Sequence, residues 1–139
     1  MPMITIQVAA APAPALAAAL ERTVVELTAR WLAKDPAVTA VAVEFLDPNH
    51  WFSGGMSCAE SGRSAFFVDV RITDGTNTKD QKVRYIAETF AALDTLLGGV
   101  MPESCVHVDD LRADGYGYGG LTQERRFIET RATALAARA

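Results

Sequence analysis

The chain has 139 residues, half of them apolar, and a net charge of −4 with its basic residues scattered rather than clustered. That length suits one domain with a sizeable core, and the apolar content argues against disorder. No basic patch marks nucleic-acid binding, no apolar run approaches the ~18 residues of a membrane span, and the N-terminus lacks the basic opening of a secretory signal.

A strand begins at once after Met1-Pro2. Ile4, Ile6 and Val8 alternate with Met3, Thr5 and Gln7, the period of a half-buried strand. Pro2 has two readings. It is an ordinary strand-start proline, whose missing N–H costs nothing there. If Met1 is trimmed, it becomes a secondary amine fixed at a strand end. Such an amine titrates near ~8, close enough to neutrality for burial or a nearby cation to make it a base.

Pro12 and Pro14 end the strand region. From Ala15 to Lys34, Leu16, Leu20, Val24, Leu27 and Trp31 form one helical stripe, stopped at Asp35-Pro36. Val38 to Leu46 reads as a second strand, followed by a turn and His50-Trp51-Phe52-Ser53-Gly54-Gly55. The order then recurs. Ser64 to Thr73 is a strand with Phe66, Val68, Val70 and Ile72 on one face. Asp74 to Asn77 is a turn, and Thr78 to Gln81 is a capping box. The helix it opens runs to Leu97 with an expected stripe of Val83, Ile86, Phe90, Leu93 and Leu97, and Gly98-Gly99 closes it. Cys105 to Leu111 is the fourth strand, ending in Gly115-Tyr116-Gly117-Tyr118-Gly119-Gly120.

The chain is therefore expected to hold two tandem β-α-β units, pseudo-repeats at about 2–55 and 64–120 of a single domain over 1–120. A tail over 121–139 is helix-prone or mobile. Each unit needs parallel strands and a right-handed crossover. The fold class is α/β, a two-layer α+β sandwich with a four-stranded mixed sheet and two helices on one face. The other face would carry Thr5, Gln7, Glu44, Asp69, Arg71, His107 and Asp109. It is either a solvated polar face or the wet interior of an assembly. His50 and His107 pair with no nucleophile in the sequence. Cys58 and Cys105 have no metal spacing and fit a reduced, cytoplasmic protein.

The Met-Pro start, the doubled β-α-β unit, the segment Gly75-Thr76-Asn77-Thr78-Lys79-Asp80-Gln81-Lys82 and the aromatic-Gly-Gly ends of both halves together resemble the tautomerase superfamily. That group includes 4-oxalocrotonate tautomerase, macrophage migration inhibitory factor, malonate semialdehyde decarboxylase and the 3-chloroacrylic acid dehalogenases. The resemblance covers Pro2 to about Gly120. It implies a cofactor- and metal-independent enzyme on a small carbonyl acid, with Pro2 as general base and a homotrimeric assembly. The runner-up chemistry is hydration, dehalogenation or decarboxylation; a non-catalytic trimeric protein is the reading if Met1 is retained, since Pro2 is then a tertiary amide without a basic lone pair.

The family's loop arginine has no counterpart in Ala10-Ala11-Pro12, and Asn77 stands in the second half's slot. Ala40 and Cys105 stand where an arginine often opens a half's second strand. Arg71 is the nearest cation if strands one and three pair antiparallel. It and Asn77 are the candidates for polarising the substrate, with an ion pair to Asp69 or Asp109 as the other role for Arg71. Trp51 and Tyr116 fill the aromatic slot that walls the proline pocket in the family. Their effects are expected to be unequal, because only the first half has a proline at its strand start. Asp74 is a candidate to activate water, or a plain turn aspartate.

Overall fold

The computed structural model describes every residue from Met1 to Ala139. β1 (Met3–Ala9) leads into α1 (Pro14–Leu32), a 3-10 turn over Pro36–Val38, and β2 (Ala40–Leu46). A small hairpin follows, β3 (Phe52–Ser53) and β4 (Met56–Ser57), then the one-turn helix α2 (Cys58–Ser61). The order repeats as β5 (Phe66–Thr73), α3 (Lys79–Leu97), β6 (Cys105–Leu111), the hairpin β7 (Gly117–Tyr118) and β8 (Leu121–Thr122), and α4 (Gln123–Ala136).

The main sheet has the order β2-β1-β5-β6. β1 pairs parallel with β2 and β5 with β6, while β1 and β5 run antiparallel, with Met3 opposite Arg71 and Val8 opposite Phe66. This is the expected two-layer arrangement. Ile4, Ile6, Val8, Val68, Val70 and Ile72 are fully or almost fully buried and meet Leu20, Val24, Leu32, Tyr85 and Leu93 of α1 and α3. Each large apolar side chain so buried contributes roughly 1.5–3 kcal/mol before the entropy of ordering it is subtracted. No helix is long and apolar enough to cross a membrane.

α3 corrects the expected stripe. Val83 and Ile86 are 67% and 39% exposed, and the buried line is Tyr85, Thr89 and Leu93. An amphipathic ring turns this face inward. The Tyr85 hydroxyl lies 2.9 Å from Thr28 Oγ1 of α1, and burial pushes its pKa up to about 12. Counting aliphatic residues alone misses a face whose tyrosine finds its polar partner on the neighbouring helix. The capping box is as expected, with Thr78 Oγ1 accepting from Gln81 N–H and Gln81 Oε1 accepting from Thr78 N–H.

The repeat continues through Gly120 into the helices. Trp51 and Tyr116, Ser57 and Thr122, and the two glycine pairs all stand 65 positions apart. Gly54-Gly55 and Gly119-Gly120 share φ values of 60° and 81°, the paired left-handed turn that tight hairpins require. Ser57 caps α2 and Thr122 caps α4, each accepting from the N–H three residues on. Because β1 and β5 are antiparallel, equivalent points of the two halves lie at opposite ends of the sheet.

Candidate active site

The start of β1 is enclosed by elements distant in sequence. Pro2 is buried, and its carbonyl accepts from Ala40 N–H at 3.2 Å. Tyr116, at the mouth of the second hairpin, donates its hydroxyl to the Met1 carbonyl at 2.8 Å. Burial raises the Tyr116 pKa, so the phenol stays a donor at neutral pH. A Cβ on Gly117 would sit 2.0 Å from the Leu121 carbonyl oxygen, so only glycine lets the hairpin close here.

A cavity of about 420 Å³ opens beside Met1. That is the size of a small-molecule pocket. Lys34, Thr73, Asp74 and Thr76 line one part, and Ala113 with Gln123, Glu124 and Phe127 of α4 line the rest.

Lys34 reaches the site through a strained cap. Ala33 ends α1 in the left-handed region at φ 55°, a conformation that costs a non-glycine residue roughly 1–2 kcal/mol. The turn delivers Lys34 Nζ to Thr76 Oγ1 at 2.9 Å. Burial lowers the Lys34 pKa, and Asp110 partly offsets the shift. The chain's terminal amine is likewise held below the usual α-amino value, first by burial and then by the positive charges of Lys34 and Arg126, against a smaller opposing effect of Asp35. Arg126 donates from Nη2 to the Tyr118 carbonyl at 2.7 Å and lies 3.9 Å over the Tyr118 ring.

The residues singled out in the sequence separate here. Tyr116 and Asp74 stand at the Pro2 end, the former on the Met1 carbonyl and the latter in the cavity wall. Arg71 does not line the cavity. Its side chain is about half exposed on the open sheet face, with Nε 3.4 Å from Asp69 Oδ2, the ion-pair role of its two readings. Asn77 is occupied, its Nδ2 donating to the Leu32 carbonyl at 2.9 Å and to Gln81 Oε1 at 3.0 Å. Within one chain Trp51 stands at the opposite end of the sheet, packed on Ala9, Cys58, Ala65 and Met101. His107 joins the open face beside Asp69, and His50 is exposed.

Lys34, Arg126 and the α4 residues escaped the sequence reading. A signal for Lys34 existed. In a parallel β-α-β unit the helix runs back over the sheet, so its C-terminal end returns to where the first strand begins. A cation just past that end falls beside residue 2.

No family model matches the sequence, and no curated protein matches it. Its backbone does have close counterparts among solved structures. Native fused 4-OT superposes with a TM-score of 0.77 at 20% identity, over 88% of this chain and 97% of that one. Macrophage migration inhibitory factor of Toxoplasma gondii gives 0.70 at 18% identity, over 86% and 98%. FG41 malonate semialdehyde decarboxylase, inhibited by 3-bromopropiolate, gives 0.71 at 16% identity, over 91% and 96%. Two tandem β-α-β units on one mixed sheet, matched across nearly the whole length of each of these proteins, give this chain the tautomerase-superfamily fold.

Proposed function

We propose that this chain, once Met1 is removed, interconverts the enol and keto forms of a small carbonyl acid with the Pro2 amine as general base. The observation that carries this reading is that Pro2 is buried at the head of β1, next to the cavity that Met1 and Lys34 line, at a place where burial and then the charges of Lys34 and Arg126 lower the pKa of the Met1 amine. Removing Met1 transfers the terminal charge to Pro2, which is itself buried, and leaves room in the cavity that Met1 lines. A neutral secondary amine takes a proton from the substrate and returns it at the other end of the enol–keto system. Lys34 is the donor placed to meet negative charge developing on the carbonyl oxygen or a neighbouring carboxylate. Tyr116 loses its Met1 acceptor on trimming, which leaves its hydroxyl beside Pro2 with the Arg71 carbonyl at 3.5 Å.

Asp74 in the cavity wall favours a second reading, in which protonated Pro2 acts as an acid while Asp74 activates water for hydration or dehalogenation. Burial and the charges of Lys34 and Arg126, which lower the pKa of the Met1 amine, argue against it, because the same environment would disfavour a protonated amine one residue on. The test is direct. Mass spectrometry of the cell-made chain is expected to show loss of Met1, and that material is expected to ketonise the enol of phenylpyruvate. A retained Met1, or no turnover by a chain starting at Pro2, removes the enzymatic reading in favour of a non-catalytic protein.

The proposal includes a homotrimer. Glu44, Asp69, Arg71, His107 and Asp109 share the face away from α1 and α3, where no element of the chain itself covers them. Gln7 pairs with Glu44 at 3.1 Å, and Arg71 and His107 flank Asp69, a charge-paired surface suited to burial between subunits. Fused 4-OT structures are symmetric and asymmetric trimers. In such a ring Trp51 of one chain could reach the Pro2 of another, the only route by which it joins the site. Sedimentation at micromolar concentration is expected to give the mass of three chains, and a mass of one or two rejects the assembly.

A further inference from the structure

We infer that Glu124 of α4 and Asp74 are specificity-determining residues that admit a monocarboxylate to the cavity and turn away a dicarboxylate. This rests on the functional reading above and narrows its substrate class. The cavity wall carries one cation, Lys34, and two carboxylates, Asp74 and Glu124. Neither carboxylate is in an ion pair, and both are exposed. Arg112 is the cation near them and shares the adjoining cleft with both, but its Nε and Nη2 are held by the two Asp114 oxygens at 3.0 Å each and it does not line this cavity.

The first turn of α4 offers no compensating anion site. Its N–H groups are spent: Gln123 on the Tyr116 carbonyl, Glu124 on the Ala113 carbonyl, and Arg125 on Thr122 Oγ1. One helical step beyond Glu124, Phe127 is 64% exposed and lines the same cavity. A substrate with one carboxylate satisfies Lys34 and lays an apolar tail along Phe127 and Ala113. A second carboxylate at the far end of the substrate finds no second cation in the cavity wall, since Arg126 is held on the Tyr118 carbonyl and does not line it, and meets the repulsion of two like charges. The wall thus selects partly by exclusion.

The matched acids trans-cinnamate and 4-carboxycinnamate differ by that one group and need no turnover, so their binding is measured by calorimetry at about 0.1 M salt on the trimmed protein. Wild type is expected to bind cinnamate about tenfold more tightly or better. The double variant Asp74→Asn, Glu124→Gln is expected to bring the two affinities within about twofold, which separates charge from the added bulk. Equal affinities in wild type, an unchanged preference in the double variant, or binding of neither acid overturns the inference. The enol assay reports on the functional reading separately: turnover with equal affinities leaves that reading intact, and selective binding without turnover removes the reading but keeps the carboxylate filter.

Discussion

Pro2→Ala is expected to lower enol–keto turnover by about a hundredfold or more while the protein stays folded. General-base catalysis by a positioned group is worth about 10²–10⁴-fold, and each factor of ten corresponds to about 1.4 kcal/mol in the barrier. An alanine amine is primary, freer to rotate, and no longer fixed by a ring whose φ is locked at the head of β1. The fold has little to lose. Pro2 lies outside the paired register of β1, and the hydrogen bond from Ala40 N–H goes to its backbone carbonyl, which alanine retains. Alanine still offers an amine, so some activity persists in it. A chain that keeps one residue in front of Pro2 has no amine at Pro2, because that nitrogen becomes a tertiary amide, and its own terminal amine stands one residue out of place. The expected order is therefore wild type, then Pro2→Ala, then the extended chain at the uncatalysed level. Equal turnover in all three would mean that any activity belongs to another group.

The four strands, the two long helices and their order are legible in the sequence because each rests on local signals. Alternation gives the strands, prolines mark the breaks, and Thr78 with Gln81 marks the start of α3. The face of α3 is less legible, since an inward tyrosine satisfied by Thr28 looks polar until its partner is known. The Pro2 end divides the same way. Pro2 stands out by position, and Tyr116 by its place before a glycine hairpin. Lys34 is set there by a left-handed alanine and the return direction of α1, neither of which has a local signature. Arg71 looked nearest because register puts its backbone beside Met3, yet strand alternation sends its side chain to the open face. The weakly patterned tail also hid its role. α4 has no buried residue and so no strong stripe, but Thr122 caps it over the cavity mouth.

Lys34→Ala is expected to act in two ways that can be read separately. The first is electrostatic. Burial, and then the charge of Lys34, lowers the pKa of the Met1 amine, and on the trimmed chain the same charge is expected to act on the Pro2 amine. Removing it stabilises the protonated amine, so the pKa rises toward the ordinary ~8. A general base is active only when unprotonated, so the acid limb of kcat/KM moves to higher pH and activity at pH 7 falls. The second effect is the lost donor. A hydrogen bond to a charged group is worth about 1.5–3 kcal/mol, or roughly ten- to a hundredfold in kcat/KM at pH values above both limbs. Lys34→Arg keeps the charge and is expected to restore the limb more fully than the plateau, since a guanidinium fork does not take the place of a compact ammonium. Stability should change little, because the bond Lys34 donates to Thr76 is exposed. A pH–rate profile of the three proteins decides the matter. A lower plateau with an unmoved limb would make Lys34 a substrate anchor only. A profile identical to wild type would place it outside the site.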